Sequence, residues 1–102
     1  MIQNNEEVTM IEMYPQAKCF CPIGNAWYTN KFRVQIVDED KYCDYLDVEE
    51  FIKSNIEGKS LTIESSCKAL YDYFKSQGLT EVHVMSEVND ATHFPVKVFC
   101  GD

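Results

Sequence analysis

Positive charge is scarce in this 102-residue chain: nine Lys and Arg stand against 17 Asp and Glu, for a net charge of −8. Binding a phosphate backbone needs clustered Lys and Arg. The composition therefore speaks against a nucleic-acid partner, and against an anionic membrane surface for the same reason. Long apolar runs are also missing. No stretch approaches the roughly 20 residues that span a bilayer, and Met1 to Val8 is too polar and acidic for a signal peptide. A cytoplasmic location is the expectation. Glycine is down to four residues that form no phosphate-cradling loop, so a nucleotide P-loop is absent. No G-x-S-x-G elbow or paired-metal pattern appears. Histidine is limited to His83 and His93, both late in the chain.

What is present suits one ordered domain, residues 1–102. Hydrophobic residues make up 45% and aromatics 13%, enough for a core, although a chain this short buries only about two thirds of its unfolded surface. Self-association into a homo-oligomer would add to that burial. The cysteines are Cys19, Cys21, Cys43, Cys67 and Cys100. An odd number without an export signal reads as reduced thiols, and Cys19-Phe20-Cys21 lacks the spacing of a zinc knuckle.

Alternation of apolar and polar residues predicts four strands. Val8 to Tyr14 is the first, with Pro15 a break or an edge position. A turn region around Gly24-Asn25, running from Pro22 to Asn30, leads to the second at Lys31–Asp38. There Phe32, Val34 and Ile36 alternate with Arg33, Gln35 and Val37. Asp38-Glu39-Asp40 reads as a solvated turn, with Tyr42 to Leu46 resuming the strand. Asp47, with Glu50 three residues on, predicts a capped helix carrying Val48, Phe51 and Ile52. Thr62 predicts the cap of a second helix whose Ile63, Cys67, Leu70 and Phe74 share a face, with Gly78 as its stop. Thr80 to Val88 and Phe94 to Phe99 complete the pattern. The predicted fold class is α+β, ordered ββααββ: an antiparallel four-stranded sheet with two helices on one face. The other face is mixed, holding Arg33, Gln35, Glu81, His83, Glu87 and Lys97. A ferredoxin-like two-layer sandwich is the alternative.

Three segments carry a resemblance to a known family. They are Tyr45-Leu46-Asp47-Val48-Glu49-Glu50-Phe51, Leu61-Thr62-Ile63-Glu64 with Leu70 and Phe74, and Val82-His83-Val84-Met85-Ser86-Glu87. Over roughly residues 31 to 99 the chain resembles tunnelling-fold proteins, namely the 6-pyruvoyltetrahydropterin and 6-carboxytetrahydropterin synthases. The resemblance implies subunits that join strands into a barrel, a pterin or purine ligand held between subunits, and Glu87 as its anchor. It also implies a catalytic zinc on three histidines near the first strands, where this chain has none, so the cofactor stays unknown and no metal ligand is assigned. More distantly the chain resembles the 7-cyano-7-deazaguanine reductases. These need no metal, and their nucleophilic cysteine precedes a proline, as in Cys21-Pro22.

The candidate residues follow. Glu87 can accept paired hydrogen bonds from the N–H and amino groups of a guanine-like edge; the plain alternative is an exposed strand-end glutamate. Cys21 can act as a nucleophile or fill space as a small hydrophobe. His83 shares a strand face with Glu87 and can carry a proton, or it is structural. Trp27 can stack on a flat ring, or pack in the core or against another subunit. The functional expectation is a pterin- or deazapurine-binding protein, with tetrahydropterin-synthase-like catalysis as its extension. A reductase-like enzyme and a non-catalytic ligand-binding or interaction subunit are the alternatives.

Overall fold

The computed structural model describes residues 10–37 and 43–102. The predicted strand start at Val8 and Thr9 and the acidic turn at Asp38–Asp40 lie outside those residues. The elements are β1 (Ile11–Met13), β2 (Gln16–Cys21), β3 (Ala26–Val37), α1 (Tyr45–Asn55), α2 (Ile63–Ser76), β4 (Glu81–Val88) and β5 (Val96–Gly101). All strand pairs are antiparallel, in the order β1-β3-β4-β5 with β2 also on β3.

β1 and β2 are one strand in two segments. Met13 pairs with Val34 and Gln16 with Lys31, so the register runs unshifted through Tyr14-Pro15. Proline is confined to such edge strands: the Pro15 carbonyl accepts the Phe32 N–H at 2.8 Å, while the return bond to the Phe32 carbonyl that another residue would make is missing, which divides the strand into β1 and β2. The expected four-stranded ββααββ sheet is thus present. The strand bounds differ, however. The first strand continues to Cys21, and the second begins at Ala26, inside the region read as a turn. The turn itself is confined to residues 22–25, where Asn25 adopts φ 53°, a left-handed conformation asparagine tolerates better than most residues.

The outer edge of β2 is covered by the α1–α2 connector. Phe20 N–H donates to Lys59 O at 2.9 Å, Leu61 N–H to Phe20 O at 3.0 Å, and Gly58 N–H to Lys18 O at 2.7 Å. Unsatisfied edge groups invite wrong pairing, and this connector removes three of them.

α1 starts earlier than expected. Its N-cap is Asp44, whose Oδ1 accepts the N–H groups of Leu46 (2.9 Å) and Asp47 (3.3 Å). Tyr45 and Leu46 are therefore helical and do not resume a strand, and Asp47 falls in the first turn, where a carboxylate favours the helix dipole. α2 matches expectation. Thr62 Oγ1 accepts the Ser65 N–H at 3.1 Å, and Gly78, at φ 83°, follows the helix end.

Both helices lie on one face of the sheet. Cys67, Leu70 and Phe74 of α2 and Val34, Ile36, Val82, Val84 and Val88 of the sheet form the core, joined by Val48, Ile52 and Ile56. Phe51 of α1 stacks on Tyr73 of α2 with centroids 4.3 Å apart. No helix of the described residues is long and apolar enough to cross a membrane.

Candidate functional site

The opposite sheet face is open and polar, as its alternation predicts. On it, His83 pairs across the ladder with Gln35 and Gly101, and Glu87 with Lys31 and Lys97. His83 Nε2 lies 2.8 Å from Glu81 Oε2. Its ring sits over Gly101, where an added Cβ would come within 2.7 Å of Nδ1, so the glycine makes room for the imidazole. Nearby, Glu12 accepts from Gln35 Nε2 (3.2 Å), Tyr14 Oη (3.0 Å) and Arg33 Nη2 (3.2 Å). Those hydrogen bonds, Gln35's first, hold its carboxyl below the usual range.

Glu87 is half-buried near the end of β4. It lies between two lysines in register, and one carboxylate oxygen accepts from Asn89 Nδ2 at 3.3 Å. Trp27 is half-exposed, its ring edge-on to Phe20 at 5.5 Å. It lies four positions before Lys31 on β3, so Trp27 and Glu87 share the open face about 13 Å apart along the strand. Its neighbour Tyr28 points the other way into the core, donating to Leu61 O at 2.6 Å.

Cys21 ends β2 on the helix-facing side. Its Sγ accepts the Gly24 N–H at 3.3 Å, and its carbonyl accepts the Asn25 N–H at 2.8 Å. It opens onto a small cleft of about 40 Å³ whose walls include Trp27, Tyr28, Ile63, Thr92 and His93. The loop that brings His93 there is pinned by Asp90, whose Oδ1 accepts the Thr29 N–H of β3 at 2.9 Å. That bond is the main reason the Asp90 carboxyl lies below its usual range.

The structure thus gathers Cys21, Trp27 and His93 at one end of the sheet, with Glu87 on the adjoining open face. It sets His83 apart. Cys21 pairs with Ala26 and His83 with Gln35, a separation of about 30 Å along β3 within one subunit. His93, in the loop after β4, is a site residue that the sequence itself does not single out. A roomier cleft of about 380 Å³ lies between the first strand and α1, lined by Met13, Pro15, Tyr45, Val48 and Ile52 among others. It contains none of the candidate residues, and one of its carboxylates, Glu57, is occupied by the Lys18 N–H at 2.9 Å, so the chemistry points to the smaller cleft. Among the described residues no three of His, Cys, Asp and Glu converge to hold a metal. The donor set a catalytic zinc requires does not assemble among them.

A second finding is a buried polar network that the sequence did not announce. Asn30 is fully buried between β2 and β4. Its Oδ1 accepts from Ser86 Oγ at 2.6 Å and lies 3.1 Å from Ser66 Oγ, its Nδ2 donates to Cys19 Sγ at 3.4 Å, and Cys19 Sγ donates to Ile56 O at 3.2 Å.

No family model and no curated protein matches the sequence. Among solved structures, the chain is similar to the archaeosine synthase QueF-Like in its apo form, with a TM-score of 0.80 over 92% of this chain and 93% of that one, at 13% sequence identity. At that identity the likeness is one of fold: two helices on one face of an antiparallel sheet, in the ββααββ order of a tunnelling-fold subunit.

Proposed function

We propose that this chain binds a pterin- or 7-deazapurine-type heterocycle, with Glu87 holding the guanine-like edge and Cys21 acting on the bound ring as a nucleophile. One observation carries the reading: on a sheet of this fold, a carboxylate on the open face and a thiol in a cleft with an aromatic wall lie toward the same end. The partner is a small heterocycle, and a homo-oligomer would complete the site by bringing the open face of one subunit to the cleft of another.

Of the two branches, chemistry on a nitrile such as that of 7-cyano-7-deazaguanine suits these residues better than a zinc-assisted tetrahydropterin-synthase reaction. Cys21 precedes Pro22, its Sγ accepts a backbone N–H, and the described residues offer no zinc donor set. Addition of a thiol to a nitrile needs no oxidant or reductant. The S–C bond forms as one C–N π bond opens, and the thiol proton ends on nitrogen.

Calorimetric titration with 7-cyano-7-deazaguanine and with 7,8-dihydroneopterin triphosphate tests this. The wild type is expected to bind one of them. Glu87→Ala is expected to lose at least about tenfold in affinity, since a hydrogen bond to a charged group contributes about 1.5–3 kcal/mol. Cys21→Ala is expected to keep its thermal midpoint and its binding while losing a covalent adduct visible by intact mass. If the wild type ignores both ligands, the non-catalytic interaction-subunit reading takes over.

A further inference from the structure

We propose that His93 is the proton carrier for Cys21, taking the thiol proton and delivering it to the group that the sulfur attacks. The inference rests on the nucleophile assigned to Cys21 above, and it names a residue outside that assignment. Three observations support it. Cys21 and His93 form walls of the same cleft. The loop carrying His93 is fixed to the sheet at two points, by the Asp90 bond to Thr29 and by Ala91, which packs against the core. His93 Nδ1 lies 2.7 Å from the Phe94 carbonyl oxygen.

The third point sets the tautomer. A carbonyl only accepts, so Nδ1 carries the hydrogen and Nε2 is left with the lone pair that can take up a proton. This is how a base is prepared for an adjacent nucleophile: one ring nitrogen is fixed by a backbone acceptor and the other is free to work. The charged group on the same loop, Asp90, is turned to the Thr29 amide. During addition to a nitrile, Nε2 accepts the proton from Sγ as the S–C bond forms and returns it to the nitrile nitrogen, leaving a neutral imidazole and a neutral thioimidate.

The test uses the intact protein and reads each cysteine separately. Iodoacetamide labelling near neutral pH is followed by peptide mass spectrometry, with the half-buried Cys43 and Cys100 as internal references. In His93→Ala, Cys21 is expected to label about tenfold more slowly than in the wild type. The reference cysteines should be unchanged, and free imidazole should restore the Cys21 rate. Equal Cys21 rates in the two proteins, or a loss that imidazole does not restore, would overturn the assignment. Adduct formation with 7-cyano-7-deazaguanine separates this proposal from the reading it rests on. Slowed labelling with no adduct in the wild type keeps His93 as the base for Cys21 and removes the nitrile reading. An adduct that forms equally fast in both proteins removes His93 and keeps the nitrile reading.

Discussion

Replacing Asn30 with alanine is expected to lower the free energy of unfolding by about 3 kcal/mol, which for a domain of this size lowers the thermal midpoint by about 15 °C. Asn30, Ser66 and Ser86 are all fully buried, and no described buried side-chain polar atom lacks a partner. Removing the Asn30 amide breaks that balance unevenly. Ser66 keeps an alternative acceptor in Ile63 O at 2.9 Å. Cys19 keeps its bond to Ile56 O. Among the described residues Ser86 has only Asn30 as a side-chain acceptor, so its hydroxyl is stranded without water, and a cavity opens between β2, β4 and α2. The double variant Asn30→Ala/Ser86→Ala removes the stranded hydroxyl and is expected to be more stable than the sum of the single losses predicts. Thermal denaturation of the four proteins measures this cycle. A single-variant midpoint within about 2 °C of wild type would mean that the network contributes no net stability.

Asn30 also shows where the sequence stops being readable. Lys31 onward alternates cleanly and predicts a strand, whereas Ala26 to Asn30 carries a polar residue at an inward position. That residue is inward because three other elements supply its partners, a fact that lies in the tertiary structure alone. β2 was hidden for a related reason. Its inward residues are Ala17, Cys19 and Cys21, too small to mark an apolar stripe, and Pro15 reads as an end although the edge position tolerates it. The start of α1 turned on two aspartates three residues apart. Beginning at Asp44 adds most of a turn and leaves Val48 and Ile52 on the same face, so periodicity cannot choose between them. By contrast, α2 and β4 were legible throughout, since their large apolar residues recur at one period and Thr62 and Gly78 bound the helix.

The site divides in the same way. Cys21, Trp27 and Glu87 could be named because their chemistry is carried by residue type. Which of them meet depends on register. Lys31 opposes Glu87, so β3 overruns the end of β4 by the residues around Trp27, and the loop after β4 folds back beside Cys21. That overrun places His93 in the cleft and puts His83 near the other end of the sheet. Nothing in the spacing of Cys21, His83 and His93 along the chain distinguishes the two histidines.

Alkaline pH is expected to unfold this protein well before it would ionise the same groups in the fold. Burial, the main cause in both cases, pushes the Cys67 thiol up to about 12 from an ordinary 9.0, and the Tyr28 hydroxyl up to about 12 from 10.0. Both side chains are almost wholly inaccessible: Cys67 lies on the sheet-facing side of α2 with its sulfur 3.6 Å from the carbonyls of Val84 and Val98, and Tyr28 is bonded to Leu61 O. The sign follows from proton binding. Above the ordinary value the unfolded chain releases the proton while the folded chain keeps it, so the unfolded state binds fewer protons and stability falls as pH rises. The stabilisation is intact below about pH 9 and is lost progressively up to about pH 12. Together the two shifts amount to several kcal/mol, a large part of the stability of a domain this size. A denaturant midpoint measured at successive pH values should therefore stay level through neutrality and collapse between pH 9 and pH 12. Cys67→Ala, less stable at neutral pH through its cavity, should show a shallower decline, because one of the two most strongly shifted groups is gone. A decline in Cys67→Ala as steep as in the wild type would show that the buried thiol is not what makes the fold sensitive to base.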